Sequence, residues 1–303
     1  ITISDTTVAA AALNTLDGKT TVAINASNIT TLTGAAADLN TAYTSSGISN
    51  LGNEAVTLTD TSLNASVLNA LDGHTSGAIN ASSINTLSGS AADLITAYDS
   101  GGISGLGNEA VNVNSGSAST SQANALAADT SGVVTATLSD GDMDTLAGLT
   151  ETGNAYTITI TYNSVATAAL NTLDGKTSVA INASNITTLT GTAADLNTAY
   201  TANGNGSING LGNEAATLSD TSLAVSVLNT LDGNTSGAIN ASNITTLTGS
   251  AADLNTAYTA NANGSISGLG NEAVTLNDTS LAASVLNTLD SNTSGTLNAS
   301  SIN

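Results

Sequence analysis

The chain has 303 residues, enough for a buried core, and 40% of them are hydrophobic. Its 23 acidic residues against two Lys and no Arg give a formal net charge of -21 at pH 7. Binding to nucleic acid or to an anionic membrane surface needs cations that neutralise phosphates, so both classes are excluded. The lack of cysteine excludes disulfides and thiol chemistry. A strongly acidic surface is instead typical of high-salt or calcium-containing surroundings.

The hydrophobic residues are almost all Ala, Leu, Ile and Val, and they recur periodically, so we expect an ordered chain rather than disorder. No apolar run is long enough to span a bilayer, and no membrane insertion is expected. The chain begins at Ile1 inside a strand-like segment and ends at Asn303 just after another. We interpret it as a piece, or the mature form, of a longer protein.

Three phrases recur along the chain and indicate a repeat protein. The phrase AADL occupies 36–39, 91–94, 193–196 and 251–254. The phrase LGNEA occupies 51–55, 106–110, 211–215 and 269–273. The phrase LNTLDG, or a close variant, occupies 13–18, 68–73, 170–175, 228–233 and 286–291.

Each repeat is predicted to contain a strand, a polar stop and a short helix. Segments such as AVTLTD (55–60) alternate apolar and polar residues, which is typical of a strand. Segments such as TSLAASVLNTLD (279–290) have the apolar spacing of a helix. Because Asp, Asn and Ser are good helix N-caps, we expect the stops to begin the helices. A glycine such as Gly175 should end the helix in a left-handed conformation.

The predicted stops, in chain order, are Asp5, Asn28, Asp60, Ser83, Ser115, Asp140, Tyr162, Asn185, Asp220, Asn243, Asp278 and Ser301. Tyr162 is the exception to the capping chemistry. The stops predict an α/β solenoid of about twelve stacked strand–short-helix coils forming one parallel sheet. The alternative is a three-faced right-handed parallel β-helix, which fits the coil length. We favour the helical form because AADLNTAY is a poor strand sequence.

The predicted organisation is a single continuous solenoid over 1–303. Short and long coils alternate over 1–114, the extra length coming from the ITTLTG and GISGLGNE segments. Plain, degenerate coils occupy 115–184, and short and long coils alternate again over 185–303.

The phrases TLTGTAADLNTAY (188–200) and GISGLGNEAV (102–111) resemble the repeats of giant secreted or cell-surface proteins of marine bacteria, including cyanobacteria. The resemblance covers about four-fifths of the chain and fails mainly across 115–165. Ile95 departs from it, since the sister repeats have Asn40, Asn197 and Asn255. The resemblance implies surface coats, adhesins or motility-associated filaments, and therefore a location more than a mechanism.

The sequence offers little to catalysis, and we expect no enzyme and no required cofactor. The only histidine, His74, lies in a turn whose counterparts are Lys19, Lys176, Asn234 and Asn292, so nothing orients it as a base. The carboxylates recur at equivalent places, such as Asp17 and its counterparts after each LNTL. A ladder of this kind is typical of structure rather than of an active site.

Calcium is the one ion for which the sequence offers a site. The segment DGDMDTLAGLTE (140–151) places Asp140, Asp142, Asp144 and Glu151 at the first, third, fifth and twelfth positions of an EF-hand-type loop. Its sixth position is Thr145 instead of glycine.

Two further sets of side chains recur along the chain. We interpret Glu54, Glu109, Glu214 and Glu272 as a solvated acidic edge, with calcium binding or bridging of rods as the alternative. Tyr43, Tyr98, Tyr200 and Tyr258 are interpreted as packing residues, with sugar stacking as the alternative.

Together these patterns predict an extracellular or cell-surface structural protein. It would be a stackable repeat segment of a filament, surface coat or giant adhesin. Its expected partners are other copies end to end, or further repeats of a longer chain. The alternative is a calcium-stabilised adhesion module that binds glycans or a neighbouring cell surface.

Overall fold

A computed structural model describes residues 1–303. The protein is α/β, with several parallel sheets in which strands alternate with short helices. It divides into two compact units. The first comprises residues 1–139 and 148–157, and the second comprises 140–147 and 158–303. That the coils run continuously from one unit into the next stays a prediction.

The first unit contains twelve strands and five helices. Its strands are β1 (Thr7–Ala9), β2 (Ile24–Asn25), β3 (Thr31–Gly34), β4 (Ile48–Ser49), β5 (Ala55–Leu58), β6 (Ser62–Asn64), β7 (Ile79–Asn80), β8 (Thr86–Ser90), β9 (Ile103–Ser104), β10 (Ala110–Ser115), β11 (Val134–Thr137) and β12 (Ala155–Thr157). Its helices are α1 (Ala10–Asp17), α2 (Ala36–Thr44), α3 (Ala65–Asp72), α4 (Ala91–Asp99) and α5 (Thr120–Asp129).

The second unit contains six helices and eleven strands. Its helices are α6 (Met143–Leu146), α7 (Thr167–Asp174), α8 (Ala193–Asn205), α9 (Val225–Asn234), α10 (Ala251–Asn263) and α11 (Ala283–Asn292). Its strands are β13 (Ser164–Ala166), β14 (Ile181–Asn182), β15 (Thr188–Gly191), β16 (Ile208–Asn209), β17 (Ala215–Leu218), β18 (Ser222–Ala224), β19 (Ile239–Asn240), β20 (Thr246–Gly249), β21 (Ile266–Ser267), β22 (Ala273–Leu276) and β23 (Leu297–Asn298).

Within each unit the chain returns to the neighbouring strand after one coil. In the first unit Thr7 pairs with Thr31 and Thr31 with Ala55, a coil of 24 residues. The sheets of this unit run β1-β3-β5-β7-β9, β2-β4 and β12-β11-β10-β8-β6, all parallel. The second unit has the corresponding orders β13-β15-β17-β19-β21, β14-β16 and β18-β20-β22-β23. Its coils are 23, 24 or 27 residues long, and the longest contain α8 and α10, which have 13 residues where α2 has nine.

The prediction of one parallel sheet is wrong, since there are several, because the sequence repeat and the coil have different lengths. LGNEA returns after 55 residues in the first unit, which is two 24-residue coils and seven residues more. Each repeat therefore begins seven residues further around the coil. For this reason β6, the sequence counterpart of β1, starts a new sheet instead of joining the sheet of β1.

The core of each coil consists of small aliphatic side chains from strands and helices. In β5 the alternating Val56 and Leu58 point inward, as the strand period requires. In α2 the buried residues are Ala36, Leu39 and Ala42, which share one helical face. The α/β prediction is confirmed, since AADL and LNTL form helices where a three-faced β-helix would have strands.

The prediction that polar stops cap the following helix is wrong. A short strand separates Asp60 from α3, which begins at Ala65 and is capped by Asn64. Asp60 acts across coils instead, because its carboxylate accepts a hydrogen bond of 2.8 Å from the N–H of Ala36, the first residue of α2. Asp220 and Asp278 bind the first residues of α8 and α10 in the same way. Asn and Ser stops bind the backbone of the preceding coil, as in Asn185 to Ile160 O at 2.9 Å.

The predicted left-handed C-cap at Gly175 is also wrong. Gly175 has φ -70° and ψ -7°, which is right-handed helical backbone. The left-handed C-caps are Gly206 after α8 and Gly264 after α10, with φ of 82° and 87°. Both follow the longer helices of the second unit. None of the helices has the length and hydropathy needed to cross a bilayer.

Candidate functional site

The four LGNE loops form the most distinctive polar site, and in all of them the glutamate is buried. Glu54, Glu109 and Glu214 are each 1% exposed and Glu272 is 0% exposed. The interpretation of these residues as a solvated acidic edge is therefore wrong. A buried carboxylate requires donors around it, and without Arg or Lys nearby those donors have to be neutral.

The donors come from the loop itself and from a tyrosine on the preceding helix. In the first loop, Glu54 Oε2 accepts bonds from Gly52 N at 2.8 Å, from Asn53 N at 3.2 Å and from the hydroxyl of Tyr43 at 3.2 Å. The glutamate thus folds back over the turn that precedes it. The same tyrosine–glutamate pairs form in the other copies: Tyr98–Glu109, Tyr200–Glu214 and Tyr258–Glu272.

The interpretation of the tyrosines as packing residues fits their burial, and the hydroxyl adds a polar role. Burial is the main cause that raises the pKa of Tyr200 to about 12, and the neighbouring Glu214 adds to the rise. Burial likewise raises the pKa of Tyr43, Tyr98 and Tyr258 above the ordinary value. These hydroxyls stay protonated at neutral pH and act as donors to the carboxylates.

A Thr-Ser-Gly turn of the next coil closes over each loop. In the first copy, Thr75 Oγ1 donates to the carbonyl oxygen of Glu54 at 2.9 Å, and Ser76 N donates to that of Gly52 at 2.9 Å. A Cβ on Gly77 would lie 2.1 Å from the Glu54 carbonyl oxygen, so this position requires glycine. The other turns are 130–132, 235–237 and 293–295, where a Cβ added to the glycine would lie 2.0 to 2.2 Å from the loop carbonyl oxygen.

Each loop, its tyrosine and the covering turn form a unit that we call the glutamate latch. Sequence reasoning missed it, although a signal was present. LGNE is followed each time by TSG, 21 residues beyond the glutamate. The LNTLDG copy at 170–175, which has no LGNE loop at this distance before it, has Val179 in the glycine position. Only Gly fits over the loop carbonyl, and Val occurs where no loop lies beneath.

The aspartates that follow LNTL also bind between coils. Asp17 accepts a hydrogen bond from the hydroxyl of Ser45 at 2.6 Å, and Asp72 accepts one from Ser100 at 2.7 Å. Asp174 makes the same contact with Ser207 at 3.0 Å. His74 lies in the turn after α3 with its ring stacked on that of Tyr43, at a centroid distance of 6.0 Å. These side chains connect neighbouring coils.

Three of the four predicted calcium ligands lie in or just before α6, and the fourth lies in the first unit. Asp142 is the N-cap of α6, and hydrogen bonds from the Thr145 side chain and from Thr145 N, the latter of 2.8 Å, lower its pKa. Asp144 lies in the first turn of α6 and accepts from the hydroxyl of Tyr162 at 3.2 Å. Asp140 precedes this helix in the second unit, whereas Glu151 belongs to the first unit. No group of three or more His, Cys, Asp or Glu side chains suited to a metal ion occurs in the chain. Calcium binding by these four residues stays a prediction.

Comparison of the chain with protein-family models, curated proteins and solved structures finds no match. The residues of the latch therefore have to be interpreted from their own geometry. Their carboxylates bond to their own loop and to the tyrosine, the threonine hydroxyls and serine amides of the covering turns bond to backbone carbonyls of the preceding coil, and the same bonds recur in both units.

Proposed function

We propose that this protein is structural extracellular material: a stackable repeat segment of a filament, a surface coat or a giant adhesin. The observation that carries the proposal is the fourfold recurrence of the glutamate latch. A buried carboxylate is costly unless it is fully hydrogen-bonded. In the LGNE repeats the carboxylate bonds to its own loop and to the tyrosine, and the backbone carbonyl of the same glutamate bonds to the Thr-Ser-Gly turn of the next coil.

The other recurring polar contacts support the same function. Asp60 and its equivalents accept a hydrogen bond from the first N–H of a helix in the preceding coil. Asp17 and its equivalents accept one from the hydroxyl of a serine in the following coil. Amides such as Asn14 donate to the next helix, in this case to Asp38 O at 2.9 Å. Side chains that recur at coil spacing and bond one coil to the next are typical of a protein with a structural function. We propose that it has no enzymatic role.

The acidic surface favours an extracellular or cell-surface location, as does the resemblance of the repeats to those of giant surface proteins of marine bacteria. Like-charged molecules remain dispersed unless salt screens them or specific ends meet. Axial association, through other copies or through further repeats of the same polypeptide, is thus the proposed mode. A calcium-stabilised module that binds glycans or a neighbouring cell is the alternative, and its only chemical support is the 140–151 segment.

Negative-stain electron microscopy of the purified chain, with calcium and then with excess chelator, tests the proposal. Long uniform fibres that survive chelation are the expected result, since the latches need no ion. Fibres that dissolve without calcium would favour the adhesion module. Compact particles that never associate under either condition would contradict a filament-forming segment.

A further inference from the structure

The second unit has an open polar pocket between the end of α7 and one face of α8. Its volume is about 390 Å³, within the range of about 300–1,000 Å³ that is typical of small-molecule sites. Asp174 is the last residue of α7. Thr201 and Asn205 follow Asn197 by four and eight residues, so these side chains share one face of α8. The polar lining consists of Asp174, Asn197, Thr198, Thr201, Asn205 and Ser207.

The same set of residues returns 58 positions later, on α9, α10 and the loop that follows. The hydroxyl of Ser207 donates to Asp174 Oδ2 at 3.0 Å. In the second copy Ser265 donates to Ala260 O at 3.4 Å instead, and Asp232 Oδ1 has no hydrogen-bond partner. The fold thus leaves this carboxylate short of donors. All six lining residues recur unchanged, as Asp232, Asn255, Thr256, Thr259, Asn263 and Ser265.

In the first unit the loop after the helix covers the equivalent aspartates. Gly47 precedes β4, and a Cβ on it would lie 2.0 Å from Asp17 Oδ1. Gly102 precedes β9, and a Cβ on it would lie 2.4 Å from Asp72 Oδ1. In the second unit the residue before β16 is Ser207, which has a Cβ, so the loop there lies farther from the carboxylate. The extra turn of α8, which has 13 residues where α2 has nine, accounts for the difference.

The groups that line the pocket select the class of ligand. They comprise one carboxylate, two amides and three hydroxyls, with no cationic or aromatic side chain. An anion finds no counter-charge there, and the net charge of -21 repels it further. Ca²⁺ takes about six to eight oxygen ligands, usually with several carboxylates, and this pocket has one. The hydroxyl groups of a neutral sugar both donate and accept, and therefore match carboxylate, amide and hydroxyl partners.

We infer that this pocket and its copy 58 residues later bind single residues of a neutral polysaccharide. The carboxylate of Asp174 accepts hydrogen bonds from the sugar hydroxyls, and the exposed amide of Asn205 both donates and accepts. The inference goes beyond the structural function and does not rest on it. It is also independent of calcium and of the 140–151 segment.

The test measures sugar binding to the full chain by saturation-transfer difference NMR. The probes are glucose, mannose and galactose, which present neighbouring hydroxyls in different orientations. A ligand of this size in an open polar pocket should bind with a dissociation constant of about a millimolar. Asp174→Asn combined with Asp232→Asn removes the charge of both acceptors and retains their shape. We expect at least one of the sugars to bind, and its affinity to fall about tenfold in this double variant.

The matched control is Asp17→Asn combined with Asp72→Asn in the first unit, where the loop covers the carboxylates. It makes the same change in net charge and should leave the affinity for the sugar unchanged. Failure of all three sugars to bind at about ten times the expected constant would overturn the inference. Equal affinities in the two double variants would overturn it as well.

A cation is the remaining outcome that the experiment has to separate. Calorimetric binding of Ca²⁺ that is lost only in the Asp174→Asn, Asp232→Asn variant would assign the pocket to the ion and remove the sugar. Fibre formation is measured separately by electron microscopy, so failure of this inference and failure of the structural function remain distinguishable.

Discussion

The replacement of Gly77 by alanine tests the glutamate latch at its tightest point. The added Cβ would lie 2.1 Å from the carbonyl oxygen of Glu54 and 2.4 Å from its carbonyl carbon, so the loop or the turn has to move. Overpacking of this kind costs about 1–3 kcal/mol. Displacement of the turn also weakens the bonds from Thr75 and Ser76 to the loop, at about 1 kcal/mol each. We therefore expect a loss of about 3–5 kcal/mol.

The matched control is Gly73→Ala, four residues earlier in the same turn. Gly73 has right-handed helical backbone, and the nearest atom to its added Cβ is Ala70 O at 3.5 Å. Alanine there should be neutral, or stabilising by up to about 1 kcal/mol. Urea unfolding followed by circular dichroism measures both variants. Native-state hydrogen exchange at Val56 N, which bonds to Ala78 O, reports the local effect. Equal stability of the two variants would refute the steric argument.

Three further results are expected. Tyr43→Phe removes a donor from the buried Glu54 and should lower the free energy of unfolding, measured in urea, by about 1–3 kcal/mol. Tyr162→Phe, at an exposed pair, should change it by less than about 0.5 kcal/mol. Equal costs would contradict the role assigned to Tyr43. Asp60→Ala leaves the first N–H of α2 without its acceptor and should lower the free energy of unfolding by about 1 kcal/mol. Asp99→Ala, at an exposed position, should leave the free energy of unfolding unchanged. An Asp60→Ala variant as stable as the unaltered chain would count against capping across coils. Because burial raises the tyrosine pKa values in the folded state, to about 12 for Tyr200 against 10.0 for the free side chain, the folded state keeps these protons longer than the unfolded state. Stability should accordingly be constant up to about pH 10 and decline toward pH 12, and a urea midpoint that does not move over this range would argue against buried hydroxyls.

Local periodicity predicted the LNTL and AADL helices and strands such as β5, but not short strands such as β6 before α3. Alternation in AVTL and the apolar spacing in LNTL depend on neighbouring residues, and both segments have the predicted structure. The single sheet was predicted wrongly because equivalent segments of the repeat do not hold a fixed place in the coil. The pairing of Thr31 with Ala55 depends on distant parts of the chain, and no single window of sequence contains it.

The candidate site shows the same limit. The burial of Glu54 runs against the strong preference of glutamate for the surface, so composition predicts an exposed acid. What reverses the preference is a set of donors to the carboxylate: the hydroxyl of Tyr43, 11 residues before it, and the N–H groups of Gly52 and Asn53. Thr75, 21 residues after Glu54, bonds to its backbone carbonyl and closes the loop, and only the folded coils bring these groups together. Asp60 is a similar case, because the N–H that donates to its carboxylate belongs to Ala36, 24 residues earlier.

The central claim is that the LGNE carboxylates are internal structure and not a solvated binding edge. Amide hydrogen exchange at Gly52 and Asn53, whose N–H groups donate to the buried Glu54, tests it most directly. The latch predicts that both amides are protected like the strand amide of Val56, and that Glu54→Ala removes their protection while leaving that of Ile103 in place. Exchange of Gly52 and Asn53 at the rate of an open loop in the unaltered chain would contradict the claim.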